Sequence, residues 1–133
     1  MELSKQEEPE MKTLSVKDYK DILAVVDLYV EGCKQGNADI MRPAFDRQAV
    51  MFSYAPDGKV VAEGTIEHLF EGFKGMGPEH ESVWQIDVID STETTAVVRV
   101  MAENWHGVGF VDHHSLVKTD KGWKIVAKVY HTL

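Results

Sequence analysis

Asp112, His114 and His131 lie near the C-terminal end of the chain and are of the types that move protons or hold ions, so their spacing decides what they can do. The stretch Phe110 to His131 reads as two strands around a turn at Thr119-Asp120-Lys121-Gly122, because β-branched and aromatic residues fill both arms and Asp and Gly suit the turn. Placing Lys118 opposite Trp123 sets Leu116 against Ile125, His114 against Ala127 and Asp112 against Val129. Side chains alternate along a strand, so Asp112, His114, Leu116, Trp123, Ile125, Ala127, Val129 and His131 are expected on one face. That face is mostly apolar and should be buried. A carboxylate and two imidazoles within it are costly unless they pair, bind something or line a wet cavity.

Asp112 and His114 stand about 6.6 Å apart at their roots, which permits a hydrogen bond by modest leaning or through one water. Such a carboxylate raises an imidazole's proton affinity and fixes its tautomer, so His114 is a candidate acid or base with Asp112 as its orienter. The competing reading is a buried polar pair, satisfied internally or by Tyr29, that serves structure or ligand binding. A metal site is not expected: His113 and His114 point to opposite faces, and His131 is offset from His114 by about 13 Å along the ladder. On the neighbouring strand, Arg99, Met101, Glu103 and Trp105 share one parity and Ala96, Val98, Val100 and Ala102 the other, and either set can face inward because one register slip exchanges them. If the first set does, Glu103 and Trp105 join Asp112 at a cavity mouth.

The elements that position these residues follow from the pattern. Residues 1–14, with Glu7, Glu8, Pro9 and Glu10, read as a solvated acidic tail, and residues 15–133 as a single domain. Ser15 and Asp18 open a helix whose apolar stripe is Tyr19, Ile22, Leu23, Val26, Tyr29, Val30 and Cys33. Gly36 stops it and Asn37 caps a short second helix, about 38–45, made irregular by Pro43. Residues 49–54 and 59–63 read as paired strands around Pro56-Asp57-Gly58. A third helix follows Gly64-Thr65 with Ile66, Leu69, Phe70 and Phe73 inward, and His68 at its rim. Strands at 83–89 and 94–105 lead into the final hairpin through the turn at 106–109. The order ααββαββββ predicts an α+β cone: three helices against a curved, mixed but mainly antiparallel sheet.

Composition narrows the function. At 133 residues the chain can bury a core without staples, and its net charge of -8 argues against a nucleic-acid or acidic-membrane partner. The lone Cys33 excludes an internal disulfide and reads as a small buried hydrophobe. The absence of a signal-like or membrane-spanning stretch places the chain in the cytoplasm, and no phosphate loop, haem motif or cysteine cluster suggests a bound cofactor.

This element order, with the ending Phe110-x-Asp-x-x-x-Leu-x-Lys, then Gly122-Trp-Lys-Ile-Val-x-Lys-x-x-His131, resembles the nuclear transport factor 2-like superfamily over about residues 16–133, and within it the lumazine-binding subgroup. The resemblance implies a cystatin-like cone with an apolar pocket at its wide end, and a homodimer through the outer sheet face, here His113, Ser115, Val117, Lys124, Val126, Lys128 and Tyr130. The helical half is also similar to ketosteroid isomerases of that superfamily. On that register Tyr29 takes the place of the oxyanion-hole tyrosine, His114 that of the protonated aspartic acid, and Ser53 that of the general-base aspartate. A lone hydroxyl cannot abstract a carbon-bound proton at neutral pH, so the isomerase reaction is not expected. Function remains to be read from the site. The reading is therefore a protein that binds a small planar or apolar molecule among Tyr29, Ser53, Glu103, Trp105, Asp112, His114 and His131. Two alternatives stand beside it: a dehydratase, cyclase or isomerase using His114, Asp112 and Tyr29, and a dimerisation module with its pocket filled by side chains.

Overall fold

The structure, a computed structural model, describes residues 15–133, so the acidic tail expected at 1–14 lies outside the described residues. Helix α1 (Val16–Gln35) begins where the sequence requires: the Ser15 hydroxyl accepts from the Asp18 amide at 3.0 Å, and Gly36 ends the helix in a left-handed conformation at φ 66°. Its inner stripe, Ile22, Val26, Tyr29, Val30 and Cys33, is buried against the sheet. Removing each large apolar side chain from water contributes roughly 1.5–3 kcal/mol. The Asp18 carboxylate also accepts from Trp123 Nε1 at 3.1 Å and pairs with Lys118 Nζ at 3.0 Å, which fixes the start of α1 to the far end of the sheet.

The second helix is shorter than expected. Helix α2 (Ala38–Met41) gives way to a 3-10 turn, Arg42–Ala44, as Pro43 removes an amide donor, and strand β1 (Phe45–Tyr54) starts four residues ahead of Ala49. Strand β2 (Val60–Thr65) returns from it, α3 (Glu67–Gly72) follows, and β3 (Val83–Ser91), β4 (Thr95–Trp105), β5 (Val108–Thr119) and β6 (Gly122–Thr132) complete the chain. The six strands form one sheet in the order β2-β1-β6-β5-β4-β3, antiparallel throughout except where β1 lies parallel to β6. Helices on one face of this mixed sheet make the α+β cone predicted from the sequence. Among the described residues no helix is long and apolar enough to cross a membrane.

Two irregularities in the ladder decide what faces the helices. Between β5 and β6, Leu116 pairs with Ile125 as expected, but Ser115 pairs with Ala127, so Val126 is an extra residue on β6. Beyond this bulge His114 faces Lys128 and Asp112 faces Tyr130, not Ala127 and Val129. The inward set of β6 is thereby Trp123, Ile125, Lys128 and Tyr130, while Val129 and His131 turn outward and are exposed. Lys128 and Tyr130, both placed on the outer face by strict alternation, turn inward, and Lys128 is buried. The second irregularity is in β4, where Ala102 pairs with Phe110 and Trp105 with Val108, leaving one residue too many near Asn104, whose φ is 57°. The small set Ala96, Val98, Val100 and Ala102 is buried beneath the helices, and Glu103 is exposed. The bulge then returns Trp105 to the inner side.

Candidate functional site

At the wide end of the cone α1, α3, the loop after α3 and the ends of β4, β5 and β6 enclose a cavity of about 260 Å³. Its walls are Leu69, Phe73, Met76, Trp105, Val108 and Phe110, and its floor is Tyr29, Cys33, Lys128 and Tyr130. Phe73 and Trp105 stack with centroids 5.7 Å apart, and Trp105 Nε1 donates to the Cys33 carbonyl at 2.9 Å, which holds the indole against the end of α1. Exposed Val108 and Thr132 mark the mouth. The loop after α3 is tied down by main-chain contacts. The Glu79 amide donates to the Lys34 carbonyl at 2.7 Å, and a Cβ added at Gly36 would meet the Gly77 oxygen at 2.4 Å, so only glycine fits there.

Directly beneath the floor lies a buried ionic cluster. Asp112 Oδ2 accepts from the Tyr29 hydroxyl at 2.6 Å and lies 3.3 Å from His114 Nε2. Its Oδ1 is 3.3 Å from Lys128 Nζ, within ion-pair range yet not aligned for a hydrogen bond, so this contact is coulombic rather than directional. The ammonium lies 3.6 Å from the centroid of Tyr130, with the faces of Tyr29 and Phe110 at 5.8 and 5.9 Å. His114 is fully buried, and its Nδ1 has no hydrogen-bond partner.

The charges of the cluster follow from its surroundings. Burial pushes the Asp112 carboxyl up, but the Lys128 charge and the bonds from His114 and Tyr29 outweigh it and hold the group below its ordinary value. Burial dominates at His114 and pushes the imidazole below its ordinary value, against the pull of Asp112 and with Lys128 adding to the lowering. His114 is therefore neutral at pH 7, and donation from Nε2 to Asp112 leaves Nδ1 as a bare acceptor. Burial and the nearby Asp112 charge raise both the Tyr29 hydroxyl and the Cys33 thiol, so each keeps its proton. Cys33 is accordingly no nucleophile in this state.

The expected site residues separate into three groups. Tyr29, Asp112 and His114 come together as one hydrogen-bonded unit, but only Tyr29 reaches the cavity surface. Trp105 forms a cavity wall. Ser53, buried on β1, and His131 border a separate crevice of about 120 Å³ together with Thr132, outside the cavity, while exposed Glu103 points away from both. The Tyr29 proton is directed at Asp112, so the cation that faces the cavity is Lys128. Strict alternation hid that residue. The signal that could have found it is the unbroken apolar run Ile125-Val126-Ala127, three residues where a half-buried strand should alternate. Among the described residues no group of three or more His, Cys, Asp or Glu side chains is arranged to hold a metal ion.

Comparison with known proteins finds relatives of the whole chain in sequence and in fold. A family described as "Putative lumazine-binding" matches residues 17–131. The chain is 31% identical over 123 residues to Aldolase FrzH of Cladobotryum sp, covering 91% of this chain and 96% of that one. Among solved structures, an NTF2-like protein of unknown function from Shewanella baltica superposes with a TM-score of 0.84 at 35% identity, covering 92% of this chain and 98% of its own. An NTF2-like protein of unknown function from Methylobacillus flagellatus gives 0.84 at 34% identity, covering 93% and 99%. A ketosteroid isomerase-like protein from Erwinia carotovora atroseptica shares the fold alone, with a TM-score of 0.68 at 16% identity over 90% and 98% of the chains. By family match and by fold together, the chain belongs to the lumazine-binding family of the NTF2-like superfamily.

Proposed function

We propose that this chain binds a small planar or apolar molecule in the cavity between Phe73, Trp105, Phe110 and Tyr130. The observation that carries this reading is the cavity itself: about 260 Å³ lined by aromatic and aliphatic side chains with few polar groups, the usual make-up of a small-molecule site. The family's name supports it, and an open cavity speaks against a cone filled by its own side chains. Thermal melting against planar heterocycles, flavin precursors, steroids and polyketide-like aromatics tests it. A ligand at about a hundred times its dissociation constant adds roughly 2.7 kcal/mol, which raises the midpoint by several degrees. A flat response across the panel would sink the reading.

A second reading, an enzyme acting on carbonyl compounds, is favoured by the ionic cluster under the floor and by the aldolase relative. In an aldol addition a C–H beside a carbonyl gives up its proton, the enolate carbon attacks a second carbonyl carbon, and the proton ends on the new hydroxyl. His114 and Asp112 are sealed from the cavity, so in this reading they act by orienting Tyr29 and Lys128 and not by touching substrate. Catalysed exchange of α-hydrogens for deuterium in a panel of ketones is the expected sign. Exchange no faster than in buffer would leave binding alone.

For a partner, the outer sheet face supports a homodimer. It carries exposed Val97 and Val129 and half-buried Phe52, Met101 and Val111, although Lys128 and Tyr130 turn inward and do not belong to it. Sedimentation of the full chain as a monomer at all concentrations would remove this reading.

A further inference from the structure

We propose that Lys128 is the polar anchor of the cavity and that it selects ligands bearing a single oxyanion, a carboxylate or an enolate, on an otherwise flat apolar body. This rests on the cavity being a ligand site. Lys128 is the one lysine, arginine or carboxylate among the described residues lining it. A buried lysine at a cavity floor is destabilising relative to an apolar residue of similar size unless something compensates its charge. Asp112 does so only in part, since the ammonium is at 3.3 Å from Oδ1 without hydrogen-bond alignment.

The ammonium has three donors. One side of it faces Asp112 and another the Tyr130 ring at 3.6 Å, which leaves donor capacity toward the cavity. The walls are mainly apolar, with exposed His106 and Thr132 as the polar exceptions, so an oxyanion beside the ammonium meets the charge in a poorly hydrated setting where the attraction is stronger than in water. Asp112, locked by Tyr29 and His114, keeps the ammonium in place before a ligand arrives. The same geometry rejects cations: the aromatic faces of Tyr29, Phe110 and Tyr130 would suit one, but Lys128 already occupies the space they enclose.

The test uses probes of one shape and two charges. Binding of 2-naphthoate and of 2-naphthamide to the full chain is measured by calorimetry, together with the Lys128→Met variant and the double variant Asp112→Asn, Lys128→Met. The double variant removes both charges and guards against a lone buried Asp112 unfolding the single one. The wild type is expected to prefer naphthoate by about tenfold or more, and the preference to fall to about one in whichever variant folds. Benzoylacetone supplies the enolate arm: its enolate absorbance should appear at lower pH with protein than without. Success in the carboxylate arm alone assigns an acid ligand, and success in the enolate arm alone assigns carbonyl chemistry. Amide bound as well as acid with no enolate shift, a preference that survives loss of Lys128, or a covalent diketone adduct in the intact mass would each overturn the proposal. Failure of both naphthalene probes and of the wider melting panel would bring down the ligand-site reading with it.

Discussion

The two ends of the β5–β6 hairpin share one face of the sheet and serve opposite ends of the cone. Toward the turn, Leu116, Trp123 and Ile125 are buried apolar residues that fill the space under the start of α1. Past the bulge at Val126 the same face carries Asp112, His114, Lys128 and Tyr130, and space opens instead of closing. One end is held by packing, which is non-directional and tolerant of apolar exchange. The other is held by paired charges, which tolerate removal of both partners far better than removal of one. A single extra residue on one strand sets the boundary between the two regimes.

The largest expected effect strikes the polar end. Asp112→Ala leaves Lys128 buried without its counter-charge and the Tyr29 hydroxyl without an acceptor, and should lower stability by about 3–5 kcal/mol in urea unfolding. Adding Lys128→Met should recover much of that loss. If the double variant is no better than the single, the charges are not what holds this end. Leu116→Ala should cost about 2–5 kcal/mol by opening a cavity in the packed end, without altering cavity binding. A change in ligand affinity there would show that the two ends are coupled and the comparison too sharp.

Tyr29→Phe removes one bond to a charged acceptor while Asp112 keeps Lys128, and should cost about 1.5–3 kcal/mol. The smallest effect lies in the pH dependence. The His114 imidazole sits below its ordinary value of 6.5 in the folded chain, so the unfolded chain takes up a proton there first. Its contribution is fully present above pH 6.5 and is lost as pH falls through the folded value, so stability declines with acidification. Asp112, also lowered, adds a like decline only below about its ordinary value of 3.8. Melting points between pH 7.5 and 5 should therefore fall more steeply in the wild type than in His114→Gln, and parallel curves would show that His114 does not titrate with unfolding.

How much of this was legible beforehand differs between the two ends in the same way. Element order, the Ser15 and Asn37 caps, the Gly36 stop and the Leu116–Ile125 pairing all rest on local propensity or on regular alternation, and these are written residue by residue. The grouping of Tyr29 with Asp112 and His114 was readable because two residues on one strand must share a face, and an apolar face demands partners for them. Lys128 and Trp105 were misplaced or left open because each lies beyond a bulge, and one slipped residue exchanges the faces of all that follow. His131 turns outward for the same reason, whereas Glu103, whose face the sequence leaves open, lies ahead of the β4 bulge and faces outward by plain alternation from buried Ala102.

The contact between Gly36 and Gly77 separates the parts of this molecule that can drift from those that cannot. The roof over the cavity is fastened there and at the Lys34 carbonyl by main chain, with the Glu79 carboxylate adding a bond from the His106 amide, whereas beneath the floor lies an interlocked set of four side chains. Met76 and the side chains beside it can be exchanged without disturbing the attachment that holds them, so the outline of an accepted molecule can be recut at little expense to folding. The charge at the bottom cannot be recut piecemeal. Lineages built on this chain would diversify in the shape of what they take up sooner than in the chemistry of how it is gripped.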